Sequence, residues 1–292
     1  MGILKRLCFA VVYTLWSAGS ALAEPQKLYF FGNSLIHHLS DTDTTTVPHW
    51  LAHFGRTTGR SFKLDGQWGF MREFDEKLPP DAEWQFKSVP SAWGNARNFK
   101  SVGYDTIVFN PTNFIQYRAP DRAYEWDNPN RETPVSVALN LLKKTASGKK
   151  VFVYEGWADM DPFGYPPSRR KLRQYHQHNI DDYHQWYVEF VRHLQRARPD
   201  LEIELIPVAR VLSRAFLETG LAKIGTREIY ADDMAHGSPT LYYLAAAITY
   251  AGLFDELPEF GELPRGIDPL VEPYFDGLKR IIAEEIEVSK KK

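Results

Sequence analysis

Lys27-Leu28-Tyr29-Phe30-Phe31-Gly32-Asn33-Ser34-Leu35-Ile36-His37-His38 is the stretch on which the reading of this chain turns. Leu28 to Phe31 form a short unbroken apolar run, the pattern of a strand buried on both faces, and Gly32 permits the tight turn that ends it. Ser34 then falls at the carboxyl edge of a sheet, near a helix N-terminus where a developing anion is stabilised. Serine and asparagine are also ordinary turn and cap residues, so this stretch alone reads more simply as a structural turn.

A second stretch far downstream, Asp232-Asp233-Met234-Ala235-His236-Gly237-Ser238-Pro239, supplies a partner for that hydroxyl. Ser238 is a good N-cap and Pro239 a good first helical residue, so a helix begins just after His236 and the histidine lies at its mouth. Asp233, three residues before His236, is expected to fold back onto Nδ1 and leave Nε2 free to take a proton from Ser34. Asp232 is the rival orienter, and the three-residue spacing favours Asp233. A cap at Asp233 and a carbonyl-bonded His236 are the structural alternatives.

With Gly32-Asn33-Ser34-Leu35 as a nucleophile block and Asp233-x-x-His236 as a C-terminal block, the chain resembles the SGNH (GDSL-type) hydrolase family. Asn33 stands where the family usually has Asp. The family's Gly-x-Asn-Asp block corresponds to Pro111-Thr112-Asn113-Phe114, of which the asparagine alone matches. The resemblance implies a catalytic set of Ser34, Asp233 and His236. It also implies an oxyanion site made by the Ser34 N–H, an N–H from Gly69 and the Asn113 amide, with Gly94 competing for the glycine role.

Outward from these blocks, strands alternate with helices. Phe62 to Leu64 read as a second strand, Tyr104 to Phe109 as a third, Val151 to Tyr154 as a fourth and Leu201 to Ile206 as a fifth. Helices are expected over Val47 to Phe54, residues 133 to 147, Ser168 to Ala197, Val208 to Thr219 and Pro239 to Tyr250, with a last one marked by Leu270, Tyr274, Leu278, Ile281 and Ile282. The excursion from Asp65 to Gly103, rich in tryptophan, is long enough to carry a hairpin or a lid. Such alternation implies a parallel sheet covered on both faces, a three-layer α/β/α sandwich of about five strands. The family resemblance implies the flavodoxin-like arrangement. Ligands in such sheets bind beyond the carboxyl ends of the strands, where Ser34, Asn113, Glu155-Gly156-Trp157 and the Asp233 to His236 loop are all expected.

Lys5-Arg6, the apolar run from Leu7 to about Ala18 and Ala21-Leu22-Ala23 form a secretory signal, so residues 1–23 are expected to be removed. The remainder, residues 24–292, is then one domain in the periplasm or outside the cell, with no cysteine and no later stretch apolar enough to span a membrane. Loss of Lys5 and Arg6 leaves 33 basic against 37 acidic residues, which excludes a nucleic-acid partner by charge.

These readings converge on a serine esterase without cofactor or metal, acting on a short acyl ester, with acetyl groups on carbohydrate as the favoured substrate. Trp157 and Phe114 are the expected substrate contacts. They belong to loops in which Tyr117, Tyr124, Trp126, Phe163 and Tyr165 alternate with Arg118, Arg122, Asp127, Asp159 and Asp161, a mixture suited to a sugar and equally to rings that simply pack the long loops. A carbohydrate O-acyltransferase uses the same residues. A non-catalytic envelope binding protein is the second alternative, and a metal-dependent hydrolase built on His37, His38, Asp41 and Asp43 the third. His49 and His53, four apart, lack a zinc-protease glutamate between them and read as a half-buried helix face.

Overall fold

The computed structural model describes residues 24–38, 42–112, 118–125 and 127–291. The expected signal, Asp41, Asn113, Phe114, Tyr117 and Trp126 lie outside the described residues. Five parallel strands form the sheet: β1 (Gln26–Gly32), β2 (Phe62–Trp68), β3 (Thr106–Phe109), β4 (Lys150–Tyr154) and β5 (Glu202–Ile206), in the order β2-β1-β3-β4-β5. That is the flavodoxin-like order, whose topological switch point lies between β1 and β3. Leu28, Tyr29, Phe30 and Phe31 are fully buried, as a strand covered on both faces requires.

The helices in chain order are α1 (Val47–Thr58), α2 (Met71–Glu76), α3 (Phe99–Val102), α4 (Pro134–Thr145), α5 (Arg169–Ile180), α6 (Asp182–Ala197), α7 (Val208–Glu218), α8 (Thr226–Ile229), α9 (Pro239–Phe254) and α10 (Phe275–Lys290). α1 packs on α9, and α9 on α10, while α4 packs between α2 and α6. The result is a three-layer α/β/α sandwich. The starts follow from local chemistry: Thr133 accepts the Ser136 N–H at 3.0 Å ahead of Pro134, and Ser238 accepts the Leu241 N–H at 3.4 Å ahead of Pro239.

Three expectations are corrected. The single helix expected over Ser168 to Ala197 is two helices, because Asp181 leaves helical geometry at φ −93°, ψ −104°. The Ile180 carbonyl freed by the break accepts a hydrogen bond from Arg210 at 2.7 Å, so a cation from α7 stabilises the bend. Second, β2 runs four residues beyond Leu64, to Trp68. Third, the excursion after Asp65 folds as no hairpin. It is packed onto the sheet edge, with Trp84 against Gly66 so closely that a Cβ there would sit 2.3 Å from the ring. Buried Asp65 holds its far end, accepting the Ala92 and Trp93 N–H groups at 2.9 Å and the Tyr104 hydroxyl at 2.8 Å.

Candidate active site

Ser34 sits in the turn that leaves β1 at the carboxyl edge of the sheet. Asn33 shapes the turn. Its side-chain oxygen accepts the Leu35 N–H at 3.0 Å, and its carbonyl accepts the N–H groups of Ile36 and His37 at 3.0 and 2.8 Å. Asparagine performs here what aspartate would as the side-chain acceptor of an Asx turn. The Tyr242 hydroxyl of α9 donates to the Ser34 carbonyl at 2.5 Å and the Tyr154 hydroxyl of β4 to the Leu35 carbonyl at 3.3 Å. Three elements therefore hold the serine backbone.

The histidine comes from a closed loop ahead of α9. Tyr230 and Gly237 bridge its base, Ala231 N–H donates to the His236 carbonyl at 2.7 Å, and Ser238 N–H to the Ile229 carbonyl at 2.8 Å. Within it Ala235 adopts a left-handed φ of 57°, and Trp157, just past β4, donates its indole N–H to the Ala235 carbonyl at 2.6 Å. Met160 N–H donates to the Asp233 carbonyl at 2.8 Å. A loop that carries a strained residue and is held by two neighbours is the kind of local cost that a site retains.

His236 Nε2 lies 3.0 Å from Ser34 Oγ, and His236 Nδ1 lies 2.6 Å from Oδ2 of Asp232. The other oxygen of Asp232 accepts the His236 backbone N–H at 3.0 Å. These partners assign the proton to Nδ1 and leave Nε2 as the acceptor facing the serine. Partial burial opposes ionisation of Asp232, but the hydrogen bonds from the His236 ring and N–H outweigh it and hold its carboxyl below the usual range. The orienting carboxylate is thus Asp232, and the expectation of Asp233 is corrected. The left-handed step at Ala235 makes residues 232 to 236 a loop instead of a helical turn, so the carboxylate four residues back reaches the ring. Asp233 is exposed and engages the loop's clamp through its carbonyl.

Two further expectations change. The Gly69 N–H donates to the Gly32 carbonyl at 3.0 Å, which ties the ends of β1 and β2 together and commits the donor expected to face an oxyanion. Gly94 is exposed in the distal loop. Trp157 is 2 % exposed, so it buttresses the His236 loop from inside and offers no face to a substrate. Tyr124 is likewise buried, whereas Phe163 and Tyr165 are half-buried. Asn113 and Phe114 fall outside the described residues, but Asn110, at the end of β3, is buried. Its Oδ1 accepts the Thr112 N–H at 2.6 Å, while its Nδ2 has no partner among the described residues. The Ser34 N–H likewise has no partner among the described residues.

His37 and His38 diverge. His37 turns inward, edge-on to Trp84 and Phe86, where burial lowers its pKa to about 4. The His38 ring lies over His236 at 4.3 Å, and burial, followed by repulsion from a charged His236, disfavours its protonation. Asp43 accepts the Lys87 N–H at 3.1 Å. His49 and His53 are half-buried, and His49 Nδ1 meets Ser88 Oγ at 2.9 Å. Near His236, Asp159 has a raised pKa, first from partial desolvation and then from Asp161, Asp232 and Asp233, with His236 opposing. Sequence reading named His38 only as a possible metal ligand, not as a neighbour of His236, and missed Tyr242. The adjacency of His38 to the serine turn was its visible signal, whereas Tyr242 looks like any core tyrosine of α9.

The arrangement is a serine, a histidine and an aspartate in hydrogen-bonded series at the switch-point edge of an α/β/α sandwich. No family model matches the chain, and no curated protein matches it. Among solved structures, it is similar to a DUF4886 family protein from Bacteroides uniformis, with 15% identity, a TM-score of 0.51, and coverage of 90% of this chain and 95% of that one. That likeness concerns the fold.

Proposed function

We propose that the protein is a serine esterase of SGNH type that hydrolyses short acyl esters, with acetyl groups on carbohydrate as the substrate class, in the periplasm or outside the cell. The observation that carries the reading is the unbroken series Asp232, His236 Nδ1, His236 Nε2 and Ser34 Oγ, with contacts of 2.6 and 3.0 Å. In this reading His236 Nε2 takes the Ser34 proton as Oγ attacks the ester carbonyl, and the Ser34 N–H donates to the oxyanion that forms. Collapse of the tetrahedral intermediate breaks the bond to the alcohol, which leaves with the proton from His236. Water, deprotonated by the same nitrogen, then releases the acid and restores the serine.

Support for a polar leaving group comes from the rim. Asp159, Asp161 and Asp233 are exposed there, and Phe163 and Tyr165 are half-buried between β4 and α5. Carboxylates flanked by rings suit hydroxyls and the apolar faces of a sugar better than an acyl tail. Rates on acetyl, butyryl and octanoyl nitrophenyl esters, followed by acetate release from an acetylated polysaccharide, test the proposal. The expected result is fastest turnover of the acetyl ester and measurable acetate from the glycan. A rate rising steadily to octanoyl, with no acetate released, would defeat the substrate class, and no turnover of any ester would defeat the activity.

A further inference from the structure

A cavity of about 660 Å³ opens between α5, the end of α7, the 221–224 turn and α8, and its lining includes none of Ser34, Asp232 and His236. Phe216, Ile224, Ile229 and Tyr230 supply buried apolar walls, and Arg169, Arg170 and Arg173 line it as exposed cations. No carboxylate lines it among the described residues.

The cations are placed against the ordinary preference of a helix. Arg169, Arg170 and Lys171 occupy the first turn of the twelve-residue α5, which has no acidic residue there, and Arg173 follows directly. The helix dipole is positive at that end and favours anions. On the neighbouring α7, by contrast, Arg210 pairs with Glu285 at 2.7 Å, and Arg214 with Glu218, Glu284 and Glu285 at 2.6 to 2.9 Å. Among the described residues Arg169, Arg170 and Arg173 pair with no carboxylate. Between arginines and apolar wall lies His176, 3 % exposed and stacked on Phe216 at 5.0 Å. Its Nδ1 meets Ser213 Oγ at 3.2 Å, while Nε2 has no partner among the described residues. Burial keeps this ring neutral, with its pKa lowered to about 3, so Nε2 adds a polar contact without a charge.

We infer that this cavity binds a free acyl carboxylate of medium chain length, its tail against Phe216, Ile224, Ile229 and Tyr230 and its carboxylate on Arg169, Arg170 and Arg173. A volume of this size matches small-ligand sites, which are apolar with a few polar groups fixing orientation. Guanidinium groups are the side chains best shaped to hold a carboxylate by paired hydrogen bonds. The inference is independent of the proposed esterase activity, because the cavity and the triad share no residue.

Calorimetric titration of the full protein with decanoate, below its micelle concentration, tests it. Decanoate should bind at one saturable site. Decanol should bind at least tenfold more weakly, and inorganic phosphate, which lacks a tail, should show no saturable binding. Replacing all three arginines (Arg169→Glu, Arg170→Glu and Arg173→Glu) should weaken decanoate at least tenfold, as should Ala222→Trp, which fills the cavity from an exposed turn position. Ser34→Ala should leave binding unchanged. Equal affinity for decanol, saturable phosphate binding, or decanoate binding that survives both cavity variants or is lost in Ser34→Ala would overturn the inference.

Discussion

Two histidine–carboxylate pairs of nearly the same geometry occupy this protein. His236 Nδ1 lies 2.6 Å from Asp232, and His184 Nδ1 lies 2.8 Å from Glu155. Glu155 is fully buried past the end of β4, and its second oxygen accepts the Arg210 N–H at 3.1 Å in the first turn of α7. That pair closes a helix end inside the protein. Asp232 is 41 % exposed in its side chain, turns its second oxygen onto the same loop, and orients a ring whose far nitrogen meets a hydroxyl. A paired histidine is therefore not a site in itself. Chemistry requires the far nitrogen to reach a nucleophile at a solvent-facing edge.

The sharpest way to break the contrast is to remove each histidine. His236→Ala should lower ester turnover on the order of 10⁴-fold or more, since members of such a set act as a unit, and leave the melting temperature nearly unchanged. His184→Ala should do the reverse, costing about 3–5 kcal/mol of stability by leaving Glu155 buried without its partner, with turnover by the folded protein preserved. Ester kinetics and thermal melts on both variants separate the roles, and a stable, inactive His184→Ala would erase the distinction.

Within the exposed pair, Asp232→Asn should lower kcat by roughly 10²–10⁴-fold by disturbing the tautomer and orientation of His236. Asp233→Asn should stay within about twofold of the parent, as surface changes away from a network generally do. Steady-state rates on one acetyl ester decide between the two carboxylates. A smaller effect is expected at the clamp. Trp157→Phe removes the hydrogen bond to the Ala235 carbonyl, which should cost about 1 kcal/mol of stability and lower kcat a few-fold. Denaturant melts alongside kinetics read both numbers, and an unchanged melt would mean that the loop holds itself.

The smallest effect concerns histidines outside either pair. Burial lowers His37 to about 4 and His176 to about 3, so below about pH 6.5 the unfolded chain takes up protons that the native rings refuse. Their stabilisation is complete above that pH and declines as pH falls towards the native values. Melting temperature should decrease between pH 6.5 and pH 4, with a shallower limb in His176→Phe. A flat profile in the parent protein would contradict the burial of both rings.

The sheet was legible because its strands are short apolar runs between clear breakers, and Thr133 and Ser238 announce their helices. Ser34 and His236 were legible because each is set off by turn and cap chemistry that a single sequence carries. Asp232 was not. Its reach depends on the left-handed backbone at Ala235, which alanine gives no sign of adopting. Nor does an apolar stripe register one non-helical residue, so the break at Asp181 between α5 and α6 was hidden. Trp157 and Gly69 were misread for a shared reason. Their N–H groups are taken by backbone carbonyls of other segments, Ala235 and Gly32, and such tertiary bonds leave no local trace.

The most direct test of the central claim is reaction of the purified protein with a fluorophosphonate, followed by peptide mapping of the adduct. A hydroxyl activated by His236 predicts stoichiometric labelling at Ser34, abolished in His236→Ala and undisturbed in Asp233→Asn. Labelling at another residue, or an unlabelled Ser34 in folded protein, would contradict the account.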